Sequence, residues 1–322
     1  MKKFLAMMLT SVVSHAALAL ERGINYDPAH SPAFTTAQQR NDINGMKNVI
    51  QQDLNAIRNA GFETVKTFYS SFSTVDGKQS VALADLACPL GLKVALGVFE
   101  FDPNKDNCST WCEKATGEQV DKAILSANQY PNCVVMIVAG NEDIYNWNFT
   151  VANTGIQKRI ATDISKLQKS ITNKDIIITS AQQDGAWLAL AKNDPYGILA
   201  KITHVGVNIY PFWSPEKKDV QAAKGEFTQR LKAIRNHAIL KDKTAIVTEE
   251  GWPSSHSADQ NPNASMRAEK NYYQWWQSRA STDDFDSYYF AMFDKQPINT
   301  DADNYFGLCS YTNKDKIIDA CQ

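Results

Sequence analysis

The sequence predicts a single-domain (β/α)8 barrel of the α/β class, in which eight parallel strands close into one sheet surrounded by helices. Short runs rich in β-branched residues alternate with longer amphipathic stretches along most of the chain. Several runs, such as 134–138, are continuously apolar, as expected of strands covered on both faces. The alternative is an open doubly wound sheet, which usually carries a Gly-rich phosphate loop, and no G-x-G-x-x-G or P-loop pattern occurs.

Eight segments have the composition of strands and are separated by helical patterns. The predicted strands are 22–26, 64–69, 92–99, 134–139, 175–180, 203–209, 244–249 and 287–293. Helices with apolar residues at i, i+3 and i+4 are predicted at 44–60, 154–171, 225–239 and 265–279. Active sites of such barrels lie at the C-terminal ends of the strands, so functional residues are expected there.

The charge balance excludes some function classes. The 322 residues include 33 Lys+Arg and 35 Asp+Glu, with a net charge of -2. No Lys/Arg cluster exceeds two residues, so the electrostatic footprint of a nucleic-acid-binding protein is absent from the sequence.

The N-terminal segment predicts export. Two lysines precede an apolar run at 4–13, and an Ala-Leu-Ala cleavage pattern follows at 17–19. We therefore expect a signal peptide at 1–19, with an alternative cut after Ala16, and a catalytic barrel at 20–322. The run is too short for a transmembrane anchor, which needs about 20 residues. We expect a secreted monomer, extracellular or periplasmic, without membrane association.

The six cysteines predict disulfides, because an even count is typical of exported proteins. Six cysteines allow 15 connectivities. A metal site is the weaker alternative, since the C-x3-C pair at 108–112 has no second Cys/His cluster, and we expect neither metal nor cofactor. The pairs that chain spacing and barrel geometry favour are Cys88–Cys133, Cys108–Cys112 and Cys309–Cys321.

Two glutamates stand where apolar strands end, Glu142 after the fourth strand and Glu249 at the end of the seventh. On its own, each glutamate is typical of a solvated loop residue. Together at the C-terminal mouth of one barrel, the two carboxyl groups could flank a bond of the substrate. A retaining glycosidase needs two carboxyl groups about 5 Å apart. One carboxylic acid protonates the leaving oxygen, and the other attacks the anomeric carbon as a carboxylate.

Motifs at these positions resemble those of glycoside hydrolase family 17, the β-1,3-glucanases and β-1,3-glucanosyltransferases. GNE at 140–142 resembles the acid/base motif, and EEGWPS at 249–254 resembles the nucleophile signature E-[ST]-G-W-P-S, with Glu250 in place of the small residue. Other matching segments are RGINY at 22–26, VKTFY at 65–69, VNIYP at 207–211, YFAMFD at 289–294 and FGL at 306–308. The resemblance covers nearly the whole chain after the signal peptide.

The resemblance implies that Glu142 is the acid/base and Glu249 the nucleophile. Glu250 is the rival, but neighbouring side chains on a strand face opposite ways, and the register of the signature favours Glu249. Asn141 is expected to bond the sugar 2-hydroxyl; its alternative role is to cap the following turn. Tyr210 is expected to donate its hydroxyl to the nucleophile, the alternative being a core aromatic.

The eighth strand departs from the family pattern F-[DN]-E, because Lys295 follows Asp294. We expect Asp294 or Asp303 to replace the missing glutamate. Aromatic rings suit the apolar faces of sugars, and we expect about half of those near strand ends to contact the substrate. These are Tyr69, Phe101, Trp187, Phe212, Trp213, Trp252 and Phe293, with Tyr69 and Trp213 favoured.

The expected function is retaining cleavage of β-1,3-glucan by endo-hydrolysis, transglycosylation or both. The expected partner is a β-glucan polysaccharide or oligosaccharide. A non-catalytic glucan-binding protein on the same barrel is one alternative, although a lectin has no need of the glutamate pair. A hydrolase of another β-glucan is the other alternative.

Overall fold

The computed structural model describes residues 22–103, 105–106, 108, 111–296 and 299–321, so the predicted signal peptide lies outside the described residues. Eight parallel strands form a closed barrel, which confirms the predicted fold class. They are β1 (Arg22–Tyr26), β2 (Thr64–Thr67), β3 (Lys93–Val98), β4 (Val134–Asn141), β5 (Ile177–Gln183), β6 (His204–Asn208), β7 (Thr244–Glu250) and β8 (Ser287–Tyr289). Each strand pairs with its neighbours in sequence, and β8 closes on β1. A short antiparallel hairpin, Ser71–Ser73 with Ser80–Ala82, was not predicted.

Helices surround the barrel. They are α1 (Pro32–Gln39), α2 (Ile43–Asn59), α3 (Leu83–Ala87), α4 (Cys112–Gln129), α5 (Thr154–Ser170), α6 (Asp184–Leu190), α7 (Ile198–Lys201), α8 (Val220–Asn236) and α9 (Met266–Ser278). The four predicted helices are α2, α5, α8 and α9. Helix α8 begins five residues before its predicted start because the Asp219 side chain caps it, accepting a hydrogen bond from the Ala222 N–H. Among the described helices, none has the length and hydropathy needed to cross a bilayer.

Strand β8 ends at Tyr289, before the end predicted at Phe293. The regular ladder ends here because a later loop competes with the neighbouring strands for the backbone. Phe290 N–H still donates to the Glu250 carbonyl of β7 at 2.8 Å, and Met292 N–H donates to the Asn25 carbonyl of β1 at 2.9 Å. Ala291 N–H donates to the Phe306 carbonyl at 3.0 Å, and Leu308 N–H donates to the Ala291 carbonyl at 2.9 Å. The prediction of a regular strand is therefore wrong over the last four residues, whose backbone hydrogen bonds alternate between the neighbouring strands and the loop at 306–309.

The disulfides follow the predicted connectivity. The structure joins Cys88 to Cys133, Cys108 to Cys112 and Cys309 to Cys321. The first bond links the end of the second β/α unit to the start of β4, with the two Cα atoms 5.7 Å apart. The third bond holds the C-terminal segment close to β8.

Candidate active site

A cavity of about 1090 Å³ opens at the C-terminal ends of the strands. It is lined by residues from the strand ends and from the loops after β1, β2, β3, β4, β5, β6 and β8. Both Glu142 and Glu249 line it, so β4 and β7 bring the two predicted glutamates to one site. This is where barrel enzymes carry their active sites.

The end of β4 aims Glu142 at the cavity. Gly140 has φ +75° and Glu142 has φ +51°, so the chain turns sharply as the strand ends. A non-glycine residue in the left-handed region costs on the order of 1 kcal/mol and persists only when its surroundings fix it. Here Glu142 N–H donates to the Ala181 carbonyl at 2.9 Å. A strained backbone at a carboxylate facing a cavity is consistent with a functional residue.

The environment of Glu142 raises the pKa of its carboxyl group. Burial, and then the negative charge of Glu249, raise its pKa from 4.5 to about 7. Asn208 donates to Oε1 at 2.8 Å and Gln183 donates to Oε2 at 3.0 Å, which lowers the pKa but does not cancel the rise. At neutral pH the group therefore exchanges a proton readily, as a general acid/base must.

Two hydrogen-bond donors hold the carboxyl group of Glu249. The Lys66 ammonium donates to Oε1 at 3.0 Å, and the Tyr210 hydroxyl donates to Oε2 at 2.8 Å. Lys66 is itself only 1% exposed; it also donates to Asn25 Oδ1 at 2.9 Å and lies 4.4 Å from the centre of the Phe68 ring. Charge-assisted hydrogen bonds of this kind stabilise a carboxylate and fix its orientation. The bond predicted from Tyr210 is present.

Glu250 faces away from the cavity, as strand alternation requires. Its carboxylate is fully buried and accepts hydrogen bonds from Ser287 Oγ at 2.6 Å, Arg279 Nη2 at 2.5 Å and the Tyr272 hydroxyl at 3.3 Å. These contacts tie β7 to β8 and α9. Glu250 is therefore a structural carboxylate, and the register that puts Glu249 in the cavity is confirmed.

Most of the predicted substrate-binding residues also line the cavity. Asn141 does so, with Oδ1 accepting a hydrogen bond from Asn208 Nδ2 at 3.3 Å. Of the seven aromatic residues singled out in the sequence, the three that line the cavity are Tyr69, Trp213 and Phe293. The other four pack elsewhere, among them Trp187 and Trp252, which are fully buried.

Asp294 does not line the cavity, contrary to expectation. Its carboxylate accepts from Gly307 N–H at 2.9 Å and from Lys316 Nζ at 2.8 Å. The cause is the early end of β8, which turns this segment toward the loop at 306–309. Asp303 does line the cavity, where it forms an ion pair with Lys295. Of the two proposed replacements for the family glutamate, only Asp303 is in place.

Sequence reasoning missed several residues that hold the two glutamates. Lys66, Gln183 and Asn208 contact them directly, and Asn25 orients Lys66. A signal existed for two of them. Asn208 stands within VNIYP, and a lysine within the predicted second strand needs a buried partner.

Comparison with curated proteins finds distant relatives. A probable glucan endo-1,3-beta-glucosidase of Emericella nidulans is 22% identical over 271 residues, which cover 81% of this chain and 53% of the relative. Its counterpart from Aspergillus oryzae is 21% identical and covers 84% of this chain and 56% of the relative. The chain thus spans little more than half the length of these relatives.

Comparison with solved structures finds the same fold. An endo-laminarinase from Formosa has a TM-score of 0.70 at 14% identity, covering 92% of this chain and 85% of that one. A glycoside hydrolase family 17 beta-1,3-glucanosyltransferase from Rhizomucor miehei has a TM-score of 0.62 at 18% identity, covering 93% and 98%.

The family model described as the BtgE/BtgC glycoside hydrolase domain matches residues 23–307. Apart from Arg22 at the start of β1 and Leu308 at the end of the last motif, this match includes all eight barrel strands, both glutamates and the motifs that carry the resemblance. The resemblance drawn from those motifs is thereby confirmed. The chain belongs to the BtgE/BtgC glycoside hydrolase domain family.

Proposed function

We propose that the protein is a retaining glycoside hydrolase that cleaves β-1,3-linked glucan through a covalent glycosyl-enzyme intermediate. The observation that carries the proposal is the contrast between the two glutamates. Glu142 has a pKa raised to about 7, whereas Glu249 is bound by an ammonium and a phenol hydroxyl. When the environments of two carboxyl groups differ in this way, one group can act as the acid and the other as the nucleophile.

In the first step Glu142 donates its proton to the glycosidic oxygen as that bond breaks, and a Glu249 oxygen forms a bond to the anomeric carbon. In the second step Glu142, now a carboxylate, takes a proton from water or from a sugar hydroxyl, whose oxygen displaces Glu249. Lys66 and Tyr210 stabilise the charge that returns to Glu249. We expect Asn141, beside Glu142 in the cavity, to bond the 2-hydroxyl.

The choice of β-1,3-glucan rests on family membership and on what related proteins are named for. Tyr69, Trp213 and Phe293 offer aromatic surface for sugar rings in the same cavity. We propose secretion after cleavage at residue 19, because the three disulfides suit an oxidising compartment. We also propose one catalytic domain at 20–322, acting as a monomer.

The test is incubation with laminari-oligosaccharides, with products sized and the first-formed anomer identified by NMR. We expect shorter products, longer products or both, released with the β-configuration. First-formed α-anomers would contradict retention, and binding of glucan without any conversion would make the protein a lectin. Faster cleavage of cello- or mixed-linkage oligosaccharides would reassign the substrate.

Substitution of the nucleophile provides the matched control. We expect Glu249→Gln to lower turnover by at least about 10⁴-fold, because the amide cannot form the intermediate. Glu250→Gln should instead lower thermal stability while the folded fraction keeps its activity at low temperature. Loss of turnover confined to Glu250→Gln would contradict the assignment.

A further inference from the structure

Trp147 is an unusually exposed aromatic residue in the cavity wall. Its side chain is 83% exposed, the largest value among the described large hydrophobic residues that stand out at the surface, and it lines the same cavity as the two glutamates. A tryptophan packed for stability would be covered by protein. An exposed ring beside a cavity instead offers a flat apolar face to a ligand.

The loop that carries Trp147 is held in place. Asn146 N–H donates to the Val151 carbonyl and Phe149 N–H donates to the Asn146 carbonyl, each at 2.9 Å. The Phe149 ring packs so closely on Gly185 that a Cβ at that glycine would come within 2.2 Å of it. The turn therefore presents Trp147 without first having to be ordered, which lowers the cost of binding.

The place of this loop indicates which sugar it meets. It follows β4, five residues beyond Glu142, whereas Glu249 lies across the barrel on β7. The acid protonates the leaving oxygen, so the sugar beyond that oxygen lies on the side of Glu142. The cavity on this side also contains Asp184 and Arg230, joined by hydrogen bonds of 2.9 and 2.5 Å. Such polar groups suit the hydroxyl edge of a sugar whose C–H face rests on an indole.

We propose that Trp147 is the platform for the sugar on the leaving-group side and thereby binds the acceptor in transglycosylation. This inference rests on the proposed retaining mechanism and specifies the fate of its intermediate. A hydroxyl oxygen of the bound acceptor attacks the anomeric carbon, and a new C–O bond forms as the bond to Glu249 breaks. Glu142 takes the hydroxyl proton, and Glu249 leaves as a carboxylate. Water gives hydrolysis by the same step.

The experiment measures how the intermediate divides between the two fates. An aryl β-laminaribioside is the donor, laminaritriose the acceptor, and transfer products are counted per aryl group released. Both products come from one intermediate, so a change in the rate at which that intermediate forms does not alter the ratio of transfer to hydrolysis. We expect Trp147→Ala to lower the transfer-to-hydrolysis ratio about tenfold, the size expected from losing one aromatic contact face. Trp147→Phe should recover part of the ratio.

Trp111 provides the control, since it is 45% exposed but does not line the cavity. Trp111→Ala should leave the ratio unchanged. An unchanged ratio in Trp147→Ala, or a wild-type protein that hydrolyses the donor without any transfer, would overturn the role of Trp147 and leave the proposed function intact. Failure of the wild-type protein to release the aryl group would contradict the proposed function itself.

Discussion

The Glu142 carboxyl titrates near 4.5 when solvated and near 7 in the cavity, so its ionisation works against the folded state. Below pH 4.5 it is protonated in both states. Between about 4.5 and 7 the unfolded chain releases the proton first, and stability falls as the pH rises; above 7 the loss is complete. The same burial that raises the pKa of Glu142, and so suits it to the proposed acid role, therefore weakens the fold at neutral and alkaline pH.

Glu142→Gln should consequently stabilise the protein while abolishing its proton transfer. The amide cannot ionise, so the gain over wild type should be small at pH 4 and grow to about 3 kcal/mol at pH 8. Urea unfolding at several pH values measures this difference. Glu63→Gln, on an exposed residue, controls for the loss of one carboxylate. A gain that is independent of pH would contradict the explanation.

Lys66 acts on the nucleophile from within the barrel. In the proposed mechanism Glu249 has no charge while it carries the sugar ester, so the buried ammonium loses its ion pair, and departure of the sugar restores the pair. Lys66→Met should therefore slow deglycosylation, by about 10²-fold if the effect resembles loss of one transition-state hydrogen-bond donor. With an activated aryl donor, the glycosyl-enzyme should accumulate and be visible by mass spectrometry.

Lys66→Arg keeps the positive charge and serves as the comparison, with partial recovery expected. Loss of packing alone would lower thermal stability without changing which step limits turnover. Equal slowing of both steps in Lys66→Met would therefore contradict the role assigned to the ammonium.

Among the elements, the segment after β8 depends on one lysine near the C-terminus. Lys316 Nζ lies 2.8 Å from Asp294 Oδ1, 3.0 Å from Glu269 Oε2 and 2.8 Å from the Gly307 carbonyl. Burial raises the pKa of both carboxyls, and the lysine partly offsets that rise. The cation thus joins α9, the segment after β8 and the C-terminal segment.

Lys316→Met should destabilise the protein by about 3–5 kcal/mol, because two buried carboxylates would be left without their cation. The loss should grow with pH as these groups ionise, and thermal unfolding at pH 5 and pH 8 measures it. Lys314→Met, two residues away and exposed, should change little. Similar losses in both variants would contradict this role.

The strands that carry the two glutamates were predictable, and the end of β8 was not, for a physical reason. The apolar runs ending at Glu142 and Glu249 lie in ladders formed with adjacent strands. The run at 287–293 has the same composition, but its later residues share their backbone hydrogen bonds between the neighbouring strands and the loop at 306–309, which sequence periodicity cannot reveal. The role of Lys66 could not be predicted for the same reason, since its partners Asn25 and Glu249 are 41 and 183 residues away in the sequence.

At the scale of the whole molecule, barrel closure brings together groups that are distant in sequence. Glu142 follows the end of β4 and Glu249 lies on β7, and the loop that carries Trp147 adds a side wall next to Glu142. The disulfides lie outside this arrangement, since none of the six cysteines lines the cavity. Stability and chemistry can therefore be altered separately.

Removing the Cys88–Cys133 bond should test that separation. The bond closes a span of 45 residues that contains β3 and α4, so its loss should cost about 4 kcal/mol in a chain-entropy model. The Cys108–Cys112 bond closes a span of only 4 residues, and its loss should cost about half as much. Thermal unfolding of the two double-alanine variants measures the difference, while kcat at low temperature should stay within about twofold of wild type. A larger loss of kcat than of stability in the Cys88–Cys133 variant would mean that this bond positions the glutamates.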